Sequence, residues 1–473
     1  MSVLDLRPGI NQALPEIAEQ VTPVPLERPF LIGWSEVLAT ELGLKAEPER
    51  YLSQLNGEGP FPVPATAQVY SGHQFGGYTP RLGDGRGCHI GELGGMELFL
   101  KGSGPTPFSR GGDGRAVIRS ALREFLASEA LHHLGINSSR ALAVLGSQTP
   151  VYREQVERGA ITVRVSRSHL RFGHFEYLKH SDRVALRDRL FEYSLHRDFS
   201  HCQGDAPFSA WFMAVVERTA TTIADWQAAG FVHGVLNSDN MSILGETFDY
   251  GPFAFLNRCD PSYVPNHSDE QGRYAFDQQP GIGWWNLQRL ALAFAEHFDD
   301  ALIQQALSHY ETTLVNRYLE RMNGRLGLEA SNDTQARLDL ISGLIQMMTR
   351  QQSDFHQGFR QFAHLDPEQE DNPLAQLLSQ DPDWQSWWRQ YRQQLNFGNL
   401  SEWQQQRRYQ NPNVVLRTHL AQQAIEAAEK GDMALVKHLH QALCHPYDDH
   451  PDFPHFSEAP PSWAQHLPLS CSS

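Results

Sequence analysis

Between residues 61 and 110 the apolar residues come in short runs punctuated by glycine. The clearest alternate with period two: "GCHIGEL", a "GG" turn, then "MELFLKG", which predicts a β-hairpin. The period then lengthens. "GRAVIRSALREFLASEALHHLG" repeats apolar residues every three to four positions and predicts a helix, with Asp113 as its N-cap and Gly135 as its stop. Strand character returns in "ALAVLGS" and "ITVRVSRSHLRFGHFEYL". From about residue 182 the pattern is helical again. Phe212, Val215, Val216, Thr219, Ile223 and Trp226 form one stripe, closed by Gly230. "FVHGVLNSDNMSILGETFDYGPFAFL" predicts an embedded hairpin whose two apolar runs are joined by "GE", and most segments beyond about 281 read as helix. Residues 1 to about 60 are Pro-rich with few periodic segments and are expected to wrap the surface.

Strands with one helix, then helices with one hairpin, is the order of an α+β, two-lobed, protein-kinase-like fold with a nucleotide between the lobes. The chain divides accordingly into a wrapping segment (1–60), a strand-rich N-lobe (61–180), an enlarged helical C-lobe with the catalytic and metal loops (181–440) and a tail (441–473). A length of 473 residues suits two or three packed units.

Charge and cysteine content narrow the function. A formal net charge of −16 argues against nucleic acid as the main partner, because phosphate contacts need clustered Lys and Arg. Any nucleotide would be small and held by a local basic pocket. Five scattered cysteines lack CxxC or zinc spacing, no signal peptide is visible, and no run of eighteen apolar residues occurs. The expectation is a cytoplasmic protein in a reducing compartment, with no membrane partner.

The candidate chemistry centres on "HGVLNSDNM". His233 and Asn240 keep the spacing of a kinase catalytic loop, but the position two after the His is Val235, which cannot accept a proton; the carboxylate is Asp239. Asp249, nine residues after Asn240, opens "DYG". An Asn and an Asp on either side of a hairpin form the pair that holds Mg²⁺ in kinases. "GDGRG", with Gly83, Gly85 and Arg86, leaves backbone N–H groups free for phosphate, although such a stretch is usually just a turn. Lys101 ends the strand after that turn. Glu124, an acid on a mostly apolar helix stripe, is its expected partner, with Glu129 the rival. Arg164 and Arg171 are separated by an odd number of residues, so on one continuous strand they would face opposite ways. Convergence on one ligand needs a bend, for which "RSH" is the candidate. "FSRGGDGR" places Asp113 and Gly114 at a helix mouth suited to phosphate or ribose.

"YSGHQFGGYTPRLGDGRG", the "HGVLNSDNM…FDYGPFAFL" segment, "CDPSYVPNHSDEQGRYAFDQQP" and the terminal "SCSS" together closely resemble the selenoprotein O family, over nearly the whole chain. That resemblance implies a pseudokinase-like fold and transfer of AMP, or in bacteria UMP, to hydroxyl side chains of proteins, with ATP (or UTP) as donor and Mg²⁺ or Mn²⁺ as cofactor. It implies that Gly83, Gly85, Arg86, Lys101, Asp113, Gly114, Arg164, Arg171 and Asp249 contact the nucleotide, that Asp239 is the catalytic base, that Asn240 and Asp249 hold the metal, and that Glu124 pairs with Lys101. It further implies a nucleotide reversed in the cleft, phosphates lying where kinases hold adenine, which accounts for the arginines and for moving the acid to Asp239. Animal members carry selenocysteine where this chain has Cys471. Two rival readings are a phosphotransferase acting on the γ-phosphate and a catalytically silent nucleotide-binding scaffold. A regulatory disulfide between Cys259, in the segment after Asp249, and Cys471, on the Pro-rich tail, is a further expectation.

Overall fold

In a computed structural model of the chain, which describes residues 4–330, 333–467 and 469, the strand Val156–Ser166 is the hub. It pairs antiparallel with Met96–Lys101 on one side and Arg140–Tyr152 on the other. The full eight-stranded sheet runs Ala18–Gln20, Thr66–Gln68, Gly87–Leu93, Met96–Lys101, Val156–Ser166, Arg140–Tyr152, Phe30–Trp34, with Ala116–Val117 pairing to Val156–Ser166 off this path. Strand alternation sorts the hub's side chains. Ile161, Val163 and Val165 enter an apolar core shared with Leu4, Leu26, Leu38, Leu42 and Leu55 of the N-terminal segment. Arg164 points the other way, toward the helix Ile118–His133 and the functional cleft.

The hairpin predicted over 87–101 is present, and its turn residues Gly94 and Gly95 both have positive φ, the backbone a tight hairpin needs. The helix Pro207–Ala229 carries the stripe read from the sequence and ends at Gly230 in the left-handed conformation. The fold is mixed α/β: beyond residue 279 it is helical, with Trp384, Trp387, Trp388 and Tyr391 filling a second core against Leu340, Leu344 and Met347. Among the described residues no helix is long and apolar enough to cross a membrane.

Four expectations are corrected. The N-terminal segment does more than wrap: it supplies the strands Ala18–Gln20 and Phe30–Trp34. Asp113 caps no helix; the helix starts at Ile118 with Val117 before it, and Asp113 instead holds Arg153 in a bidentate pair at 2.8 and 2.9 Å. "ITVRVSRSHLRFGHFEYL" is only half strand. Ser166 Oγ accepts from Ser168 N, Ser168 Oγ accepts from Leu170 N, and these hydroxyls end the ladder. The helix Phe172–His180 follows, with Phe172, Phe175 and Leu178 buried at three-residue spacing. The embedded hairpin is also different. Phe231–Val232 pairs with Ala254–Phe255 around a long loop, while Ser242 bridges to Arg171 and Thr247 to Ser138.

Candidate active site

The central strands Met96–Lys101 and Val156–Ser166, the glycine-rich segments over 82–86 and 108–115, Arg171 and the loop between residues 233 and 252 line a cleft of about 580 Å³. Gly83, Gly85, Arg86, Lys101, Asp113, Gly114, Arg164, Arg171, Asp239, Asn240 and Asp249 all line it. Seven cationic and four acidic side chains line the cleft of a chain whose net charge is −16, so this is a local anion site.

A row of alternating charges crosses its floor. Lys101 Nζ donates to Glu124 Oε2. Arg164 Nε donates to the other Glu124 oxygen at 2.8 Å, and Arg164 Nη2 to Asp249 Oδ1 at 2.8 Å. Arg171 completes the row, donating to Asp249 Oδ2 and, at 2.8 Å, to the backbone carbonyl of Asp239. The bend at "RSHL" is what allows the two arginines to meet: Arg164 is on the strand and Arg171 is the residue before the next helix. Glu129, the rival acid, pairs instead with Arg140.

The two aspartates sit in opposite settings. Burial alone would raise the Asp249 carboxyl, but Arg171, Arg164 and Lys101 outweigh it and hold the group well below the usual carboxylate range. Asp239 is pushed up to about 6 by burial, against the opposing pull of Arg171 and of a hydrogen bond from Gln74. Burial lowers Lys101 to about 8, with Glu124 opposing. Asp249 also has φ of 61°, an uncommon backbone for a residue with a Cβ and one that concentrates at functional sites.

The surrounding loop is tied down by its own polar side chains. His233 Nε2 faces Phe248 O at 3.0 Å, clipping the two arms of the loop together, and Asn240 Nδ2 donates to Val235 O at 3.0 Å. That bond uses the Asn240 amide nitrogen, and the amide oxygen accepts no hydrogen bond from the described residues. Across the cleft, Gly83 has φ of 126°, and a Cβ there would lie 2.6 Å from the Phe108 ring. The glycine turn therefore packs directly against residues 106–109, held by Thr106 Oγ1 donating to Asp84 O at 2.7 Å.

Sequence reasoning missed several lining residues: Asp84, Asn237, Gln74 and Phe75. The last two lie in "GHQFGG", where the only local signal is an aromatic in a glycine-rich turn. Among the described residues, two further groups have metal-ligand composition, His89–Glu97–His169 and Glu129–His440–Cys444. In both the carboxylate is already taken, Glu97 by His169 and Arg197 and Glu129 by Arg140 and Ser35.

Packed cations, an ionised acid among them and a second acid displaced toward neutrality make a site for group transfer from a polyanion. Comparison with known proteins narrows the class. The family model for protein adenylyltransferase SelO matches residues 1–444. The protein nucleotidyltransferase YdiU of Shewanella sp. (strain MR-7) is 46% identical over 474 residues, covering 97% of this chain and 98% of its own length. Those of Shewanella oneidensis and Shewanella halifaxensis are 45% and 46% identical, over 97% and 96% of this chain and 98% and 97% of their own lengths. The chain belongs to the SelO family of protein adenylyltransferases, and it is an enzyme, a nucleotidyltransferase.

Proposed function

We propose that the enzyme transfers AMP from ATP, with UMP from UTP as the alternative, to Ser, Thr or Tyr hydroxyls of substrate proteins, on a two-lobed kinase-like frame. The observation that carries this reading is the opposite setting of Asp239 and Asp249 within one cleft. A carboxyl near 6 can be ionised at neutral pH and still accept a proton, whereas one clamped between two arginines cannot. The acceptor hydroxyl gives its proton to Asp239, its oxygen bonds to the α-phosphorus, and the bond from that phosphorus to the β-bridging oxygen breaks. Lys101, Arg164 and Arg171 meet the charge of the departing pyrophosphate. The phosphates thus lie by the arginines and the adenine toward the glycine-rich side. Buried Val235 leaves no proton acceptor at the usual kinase position.

Asn240 and Asp249 fit Mg²⁺ or Mn²⁺. They offer oxygen donors only, Asp249 is ionised, and 23% of its side-chain surface remains open. The ion, once bound, neutralises charge on the phosphates. Arg164 and Arg171 donate to both Asp249 oxygens here, so an ion held by Asp249 would share this carboxylate with the two guanidiniums.

The redox reading joins this proposal. Cys471 lies outside the described residues. Cys259 is buried, accepts from Thr349 Oγ1 at 3.5 Å and is pushed up to about 11 by burial. Support for the pairing comes from Leu469, which bridges to Asn266 on the loop following Cys259. A bond to Cys471 has to draw Sγ away from Thr349.

The test is the label. α-³²P-ATP should mark a protein acceptor and γ-³²P-ATP should not. Marking by γ-label alone means phosphotransfer, marking by α-³²P-UTP and not by α-³²P-ATP means the UMP alternative, and marking by none of the three overturns the reading.

A further inference from the structure

The strands Gly72–Gln74 and Gly77–Thr79 form a small hairpin separate from the main sheet, and it lies on Asp239. A Cβ at Gly72 would come within 2.4 Å of Asp239 Oδ1 and 2.6 Å of its Cβ, so only glycine allows this approach. The hairpin is pinned to the catalytic loop. His73 N donates to Ser238 Oγ at 2.8 Å, and Phe75 N donates at 2.9 Å to Tyr274 OH, which itself donates to Asn237 Oδ1 at 2.6 Å. Gln74 Nε2 donates to Asp239 Oδ2 at 3.2 Å. Gln74 is the one side chain among the described residues that donates to this carboxylate. The other oxygen, Oδ1, is buried without a hydrogen-bond partner. Gln74 and Phe75 both line the cleft. Phe75 is 44% exposed, with φ of 50°, and its ring rests against Tyr274 at 5.2 Å. Its positive φ belongs to the two-residue turn it forms with Gly76, but the turn does not account for leaving an aromatic ring exposed beside this carboxylate.

We propose that this hairpin is the acceptor edge of the active site: Gln74 is a positioning residue that turns Asp239 Oδ2 toward the incoming hydroxyl, and Phe75 receives an apolar side chain flanking that hydroxyl in the substrate protein. The inference rests on Asp239 as the base. A carboxylate oxygen holding one hydrogen bond keeps a second lone pair, so Oδ2 can take the hydroxyl proton while Gln74 fixes the carboxylate plane. Gly72, having no Cβ, leaves the space that Oδ1 occupies in this orientation. A fixed plane matters because a misplacement of about 1 Å can cost on the order of 100-fold in rate.

The experiment uses the full-length enzyme, α-³²P-ATP and two synthetic peptides with a central Tyr flanked by Leu or by Gly. Gln74→Leu is expected to lower kcat by about 10- to 100-fold, with KM for ATP and for peptide within about twofold of wild type. In an Asp239→Asn background the same change should cost nothing further, since Gln74 acts only through that carboxylate. Phe75→Ala should raise KM for the Leu-flanked peptide about fivefold, erase the preference over the Gly-flanked one and leave kcat alone. Gln74→Met, which keeps the length and removes the donor without adding charge, replaces Gln74→Leu if the latter melts early. Losses that multiply in the double variant, or an ATP KM that moves with kcat, overturn the positioning role. An unchanged peptide preference in Phe75→Ala overturns the contact. Full activity of Asp239→Asn alone would instead remove the underlying base assignment.

Discussion

Replacing Asp249 by Asn separates the metal role proposed for this residue from its role as a clamp. The carboxylate binds Arg164 and Arg171, two pairs each worth about 4 kcal/mol of Coulomb attraction at an effective dielectric near 20. Desolvation cancels most of that. Arg164 keeps Glu124 and Arg171 keeps the Asp239 carbonyl, so the net loss of stability should be about 2–3 kcal/mol, below the roughly 3–5 kcal/mol of a buried pair left wholly uncompensated. Catalysis should suffer more. A metal ion supplies several kcal/mol of charge stabilisation, and a loss of about 4 kcal/mol lowers transfer on the order of 10³-fold. Nucleotide binding should split by condition. Without metal, Asp249→Asn should bind ATP as well as wild type or several-fold tighter, because two guanidiniums are released; with Mg²⁺ it should gain nothing. Calorimetric titration of ATP with and without Mg²⁺, beside α-label transfer and a thermal melt, reads all three quantities. A variant that keeps the Mg²⁺-dependent gain in affinity and transfers within tenfold of wild type would refute the metal assignment.

Glu246 tests the electrostatics away from the chemistry. Burial pushes its carboxyl up to about 7 from 4.5, with only Ser166 Oγ and a backbone N–H in opposition. The folded state therefore holds the proton more tightly than the unfolded chain, and stability is present below about 4.5 and lost as pH rises through about 7. Glu246→Gln should raise the melting temperature by a few degrees at pH 8, on a gain of about 2–3 kcal/mol, and leave it unchanged at pH 4. A nucleotide-bound crystal structure should place phosphate oxygens within hydrogen-bond reach of Arg164 and Arg171; adenine at those arginines would reverse the orientation. Transfer measured with and without dithiothreitol should differ in wild type and not in Cys471→Ser, and an equal response in both would remove the Cys259–Cys471 switch.

What the sequence determined by itself is what depends on neighbours in the chain. The hairpin over 87–101 is legible because alternation and a Gly94–Gly95 turn act within fifteen residues, and the helix ending at Gly230 because its stripe and its stop are local. The residues proposed for the chemistry are local too: Asp239, Asn240 and Asp249 lie within eleven residues, and all three line the cleft. Local reading failed where another part of the chain decided. "FGHFEYL" follows a strand and looks like its continuation, yet three-residue burial makes it a helix. Asp113, an ordinary cap by sequence, is claimed by Arg153 forty residues away. Only the tertiary structure settled the charge row. Arg164 and Arg171 reach Asp249 across 85 and 78 residues, and no periodicity encodes which carboxylate a buried guanidinium will meet. The same holds for the hairpin bearing Gln74, which touches Asp239 across 165 residues. Burial then sets the difference between the two aspartates, because identical side chains acquire different proton affinities only when folding removes water from one and surrounds the other with cations.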